Sequence, residues 1–168
     1  MRLKQQKGIV LIEALVAALL FMLGVLGLMG VAAKTVTSQS DIEYRTQAAS
    51  LISQMMDTIW LNVDRTSAAS TVTSLTALQH QPDGADCEFT GTASTDAAVT
   101  AWVGKVKDGA IVPPATTANA ATRMPGATAA MQQIQFTAAN NNEVTIRLCW
   151  QSSADAVPRQ HVMRAYIN

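Results

Sequence analysis

The sequence predicts an α+β fold: a long N-terminal helix, membrane-spanning in its first half, packed in its second half on a small C-terminal head with an antiparallel sheet. Three observations predict it. An apolar run from Ile9 to Ala33 carries a single charge, Glu13. Apolar residues then recur at helical spacing from Ala48 to Val63, and the last third alternates apolar and polar residues with the period of a strand. At 168 residues the chain has room for one small domain plus an extension.

Composition narrows the function classes. Charged residues are 14% of the chain, against about 25% in ordinary soluble domains, and the 12 basic side chains balance the 12 acidic ones. That balance argues against a protein built chiefly to hold nucleic acid, which usually carries a basic surplus. The 28 Ala and 18 Thr make a small-residue-rich chain without the high net charge of a disordered one. Two cysteines are too few for a disulfide-dense miniprotein or a four-thiolate zinc site.

The first element is the apolar run. Arg2, Lys4 and Lys7 precede it, and its 25 residues reach roughly 37 Å as a helix, enough to cross a hydrocarbon layer of about 30 Å. Basic residues on the N-terminal side keep that end cytoplasmic and send the rest of the chain outside. A cleaved secretory leader has a shorter apolar region of about 7–15 residues, although Gly30-Val31-Ala32-Ala33 leaves a weak cut site. A plain single-pass anchor gives no reason for Glu13, because a carboxylate inside hydrocarbon costs several kcal/mol (about 2.5 or more) unless it has a partner or sits near the interface.

Lys7-Gly8-Ile9-Val10-Leu11-Ile12-Glu13-Ala14-Leu15-Val16-Ala17 resembles the leader and mature start of the type IV prepilin family. The resemblance implies that a prepilin peptidase cuts between Gly8 and Ile9 on the cytoplasmic side and methylates the new amine of Ile9. Glu13 then matches the glutamate that the family keeps five residues from the cut. An amine at Ile9 and a carboxylate at Glu13 suit pairing between neighbouring helices in a filament core, where each offsets burial of the other and together they set the axial register. Gly24-Val25-Leu26-Gly27-Leu28 is most similar to the PilV class of minor pilins, and the chain lacks the proline that many major pilins carry in this stretch.

Beyond the membrane, Ala48, Leu51, Ile52, Met55, Met56, Ile59, Trp60 and Val63 lie at spacings of one, three and four. They predict an amphipathic stripe that packs on the head, and with no proline from Ile9 to Arg65 a single helix runs through both segments. The Ser-, Thr- and Ala-rich residues 66–82 read as a connection, closed by a turn at Pro82-Asp83-Gly84. Asp96 suits the cap of a short helix to Lys107, with Val99, Trp102, Val103 and Val106 on one face. Asp108-Gly109 ends it, and Pro113-Pro114 opens an irregular segment to about Met131. Gln133–Ala138, the turn Asn140-Asn141-Asn142, the alternating Val144, Ile146, Leu148 and Trp150, and Arg159–Ile167 predict a three- or four-stranded antiparallel sheet. The expected divisions are a leader at 1–8, a membrane or filament-core helix at 9–33, an amphipathic extension at 34–65 and a head at 66–168.

Cys87 and Cys149 both lie in the part expected to face an oxidising compartment. A disulfide between them closes a loop of about 63 residues, worth roughly 4 kcal/mol by the chain-entropy account. The alternative is two buried thiols. In major pilins the bridge involves a cysteine close to the C-terminus, whereas Cys149 stands nineteen residues before the end.

Catalytic and metal signatures do not occur. The chain has no Gly-rich phosphate loop, Gly-x-Ser-x-Gly elbow, His-Glu-x-x-His pair or Cys-x-x-Cys motif. His80 and His161 are isolated, and Asp83, Asp86 and Glu88 lack calcium-loop spacing. Lys105, Lys107, Arg123, Arg147, Arg159 and Arg164 would have to cluster to hold DNA, and loss of the leader leaves nine basic against twelve acidic residues. No cofactor, metal or specific nucleic acid is expected.

The expected function is nonenzymatic: a minor pilin in assembly and priming of a type IV pilus. The resemblance implies lipid around the helix before assembly, and the prepilin peptidase, other minor and major pilins and the inner-membrane assembly platform as partners. It implies an inner-membrane single pass with a periplasmic head, then a place in the filament near its tip. Alternatives are a minor pseudopilin of a type II secretion system, a tip subunit that binds a receptor or DNA through 109–131, and an anchored extracytoplasmic enzyme.

Overall fold

The computed structural model describes residues 7–110, 117, 119 and 122–167, with side chains at 7–9, 33, 34, 36 and 37 left aside. The leader up to residue 6 and much of the expected 109–131 loop lie outside the described residues. The fold is α+β. One helix, α1 (Lys7–Asn62), runs for 56 residues, which the absence of proline permits. The chain divides within it into two units, Met1–Glu43 and Tyr44–Asn168.

The second unit has a closed core. Ala48, Leu51, Ile52, Met55, Met56 and Ile59 of α1, with Val63 just past it, are buried in one cluster. Trp60 departs from the predicted stripe and is 41% exposed. Its ring lies under the Arg65 guanidinium, 4.9 Å from the centroid, and Arg65 Nη1 donates to the Trp60 carbonyl at 2.8 Å. A tryptophan at the edge of an apolar stripe satisfies its π-face with a cation rather than with core atoms.

The Ser/Thr/Ala-rich connection contains a second helix, α2 (Ala68–Ala77), which the sequence reading missed. Ser67 caps it, its side chain accepting from Ser70 N–H, and Thr71 and Leu75 are its buried residues. Threonine is a poor helix former in isolation, so tertiary packing of Leu75 and Leu78 decides the outcome. The short helix α3 (Ala97–Asp108) forms as expected. Asp96 accepts from Ala98 N–H and Val99 N–H at its start, and Val99, Trp102, Val103 and Val106 are buried. Trp102 Nε1 donates to the Leu51 carbonyl of α1 at 2.9 Å, so a buried indole is satisfied and ties the two helices. Gly109 (φ +100°) ends α3 in a conformation that other residues rarely adopt.

The reversal expected at Pro82-Asp83-Gly84 sits elsewhere. Asp83–Ala85 is strand β1, paired antiparallel with β2 (Glu88–Thr90), and the chain turns at Asp86 and Cys87, both at positive φ. Two consecutive positive φ values are what a tight hairpin requires. Gly84 is needed in β1, because its φ is +87° and a Cβ would stand 2.4 Å from the Glu88 carbonyl oxygen.

The main sheet has three strands in the order β3 (Gln132–Thr137), β4 (Glu143–Trp150) and β5 (Arg159–Tyr166), all antiparallel. Asn141 and Asn142 take positive φ between β3 and β4, as the turn reading anticipates. Val144, Ile146, Leu148 and Trp150 point into the α1 core. The opposite face is not fully solvated: Cys149 is buried there with Cys87 and Phe89 in a second, smaller cluster. The Cys87–Cys149 disulfide is present and fastens the β1–β2 hairpin to the central strand.

Candidate functional site: an exposed apolar helix and a latched head

Among the described residues the apolar half of α1 is left uncovered. Val10–Ala32 is long and apolar enough to cross a membrane, and none of that stretch is buried. Fourteen large apolar side chains between Val10 and Val31 stand exposed. At about 1.5 kcal/mol or more per buried side chain, covering them is worth on the order of 20 kcal/mol. Surface of this extent marks a lipid-facing or protein-facing element.

Glu13 lies on this exposed helix, and among the described residues no basic side chain pairs with it. It is four residues from Ile9, one turn along the same face. The Gly8–Ile9 bond falls in the first turn of α1, where backbone N–H groups lack intrahelical acceptors. Gly24, Gly27 and Gly30 have nothing within 4 Å of where a Cβ would stand, so no contact within this chain requires them to be glycine. Small residues facing outward permit close approach of another helix in lipid.

Among the described residues the head offers open grooves. One, of about 220 Å³, lies between α1 and α3 against Met55, Thr58, Ala101 and Trp102, with Lys105 Nζ donating to Gln54 Oε1 at 2.9 Å. Among the described residues no group of three or more His, Cys, Asp or Glu could hold a metal ion. Asp83, Asp86 and Glu88 are exposed on the small hairpin. Three of the basic residues are engaged in ion pairs on separate elements. Lys107 pairs with Asp108, Arg159 with Asp155 at 2.7 Å, and Arg164 with Glu143 at 3.6 Å. The Arg159 hydrogen bond holds the Asp155 carboxyl below the usual carboxylate range.

His80 is structural. Its ring is buried, with Nδ1 accepting from Ser94 N–H at 3.1 Å and Nε2 facing the Ala129 carbonyl at 3.3 Å. An amide donor at Nδ1 fixes the neutral tautomer with its proton on Nε2. Burial pushes the His80 pKa down, against the upward pull of the Ala129 carbonyl. His161 lies on β5, paired in register with Leu148.

A polar ladder on the outer face of the sheet escaped the sequence reading. Arg147 Nη1 donates to the side-chain oxygens of Gln133 and Gln135, and their Nε2 groups donate to the Gln81, Asp83 and Pro82 carbonyls at 3.0–3.2 Å. The spaced glutamines of Gln133-Ile134-Gln135 were the available signal. Against family models, curated proteins and solved structures, the chain finds no significant match.

Proposed function

We propose that this chain is a prepilin-type assembly subunit, trimmed between Gly8 and Ile9 and drawn from the membrane into a type IV pilus as a PilV-like minor pilin. The observation that carries this reading is the apolar helix segment with none of its length buried and a single acid, Glu13, one turn from the proposed cut. Lipid covers the fourteen side chains first, and neighbouring subunit helices cover them afterwards. The transfer is close to balanced, because hydrocarbon and leucine are equally apolar; packing at Gly24, Gly27 and Gly30 and satisfaction of Glu13 then favour the filament. The freed Ile9 amine of a neighbour is the partner for Glu13. Its pairing defines axial register, since one buried charge matched at one height penalises every other alignment.

The head is a presented, crosslinked module rather than a catalyst in this reading, and its role is in priming assembly beside other minor pilins. A prepilin peptidase, the other pilins and the inner-membrane platform are the partners. The test is Glu13→Ala in the native host. Membrane insertion should persist, incorporation into sheared fibres should fall at least tenfold, and Glu13→Asp should restore part of it. Normal incorporation of the alanine variant refutes the pairing, and an N-terminus still at Met1 in finished fibres refutes the reading as a whole.

A further inference from the structure

One segment of the head hangs on a histidine. Residues 91–95 join β2 to α3 without regular structure, forming a strap that meets the end of α2. Hydrogen bonds fasten it at two places. The Thr92 carbonyl accepts from Gln81 N–H at 3.0 Å. Ser94 Oγ donates to the Ala77 carbonyl at 3.4 Å, and Ser94 N–H donates to His80 Nδ1 at 3.1 Å. The strap also sets the start of α3, because Asp96 N–H donates to Ser94 Oγ at 3.3 Å beside the helix cap. His80 itself is anchored. Its backbone exchanges both bonds with Ile134, and Nε2 faces the Ala129 carbonyl.

We infer that the His80–Ser94 contact is an acid-operated latch: a proton on Nδ1 detaches the strap at Ser94 and leaves the rest of the head closed. The latch belongs to the head and does not depend on the assembly reading. In the neutral ring the Nδ1 lone pair accepts; in the imidazolium a proton stands there, and two N–H groups point at each other. A backbone donor left unpaired beside a buried ring is costly, so the strap moves out to water. No charge at hand rescues the closed form. Helix α2, strand β3 and residues 129–131, which meet His80 or lead into it, contain no ionisable side chain. The Asp96 carboxylate is committed to Ala98 N–H and Val99 N–H, and that of Asp83 lies beside Gly91 at the far end of the strap. On α3, Lys105 bonds to Gln54 and Lys107 to Asp108. Among the described residues none of these groups forms an ion pair with His80. Burial opposes protonation in the closed head, so the open form takes up the proton at the ordinary value of about 6.5. Opening therefore grows by up to about tenfold for each pH unit below that value. The strap is one wall of a groove of about 340 Å³, with Thr76, Gln79 and Pro82 also lining it. Acid alone widens that groove and loosens the start of α3.

Amide hydrogen exchange on the full-length chain in detergent micelles tests the latch, read residue by residue as protection factors from pH 7.5 to 5. Protection at Ser94 and Asp96 should hold above about pH 6.5 and fall about ten- to thirtyfold by pH 5. Ile134 and Ile146 should keep theirs. In His80→Gln, whose closed Cys87–Cys149 disulfide reports folding, the fall at Ser94 should vanish. Unchanged protection at Ser94 in the wild type overturns the latch. A fall shared equally by Ile146 overturns it too, because the head then opens as a whole, and so does the same fall in the variant. Should the variant not fold, the wild-type contrast between Ser94 and Ile146 decides alone.

Discussion

On the single helix α1, large apolar residues meet two fates. From Val10 to Val31 all but the half-buried Val25 are more than half exposed, and from Leu51 to Ile59 those at the inward spacing are shut inside the head. Residue type does not separate the halves, since Leu, Ile and Met occur in both. The later half is covered by strands and helices of its own chain, whereas none of the earlier half is buried among the described residues. Stability of the head is therefore intrinsic, and that of the first half is deferred to whatever surrounds it. Perturbations should accordingly act on one half and spare the other.

The largest separation should come from the disulfide. Replacing Cys87 and Cys149 together by serine should remove roughly 4 kcal/mol from the head, read as a lowered denaturant midpoint in detergent solution. Membrane extraction of α1 should not change; release of the mutant into the soluble fraction would break the comparison. Next in size, Leu20→Arg puts a charge in mid-span. It should disfavour insertion by about 3 kcal/mol, near a hundredfold in the inserted fraction, with the detergent-solubilised head melting as before. A smaller effect, about 1 kcal/mol, is expected for Asp96→Ala, which leaves Ala98 N–H and Val99 N–H without their cap. Circular dichroism melts should register it in the head alone.

The smallest effect is a pH dependence confined to the head. His80 is held neutral by burial, so its folded pKa lies below the unfolded value of about 6.5. Its contribution is complete above 6.5 and declines as the pH falls below that value, because the unfolded chain then takes up the proton first. Denaturant midpoints measured between pH 7.5 and 5 should fall in the wild type and fall less in His80→Gln. Equal slopes in the two proteins would remove His80 as the cause.

Much of this contrast was legible in the sequence. An uninterrupted apolar run, the stripe from Ala48 and the alternation from Val144 each impose a period that one element satisfies. Asp96 and the three asparagines mark their cap and turn by local chemistry. The elements that escaped are those whose formation depends on distant residues. Helix α2 is made of Thr, Ser and Ala, and Leu75 commits it only once a core exists. The β1–β2 hairpin turns through Cys87, which carries no turn preference and is held there by Cys149, 62 residues away. Arg147 reads as one more surface cation until Gln133 and Gln135 are brought beside it by register. Trp60 fits the apolar period and still lies outside, since nothing in the pattern distinguishes the rim of a stripe from its centre.

Cys149 has no accessible surface and Cys87 almost none. A small-molecule oxidant or reductant therefore has little access to the bond while the hairpin lies on β4. Bond formation has to precede or accompany that closure, and dithiothreitol acts only on molecules that have transiently opened. A head met with its thiols already joined has thus kept a chemical imprint of the compartment in which it first became compact.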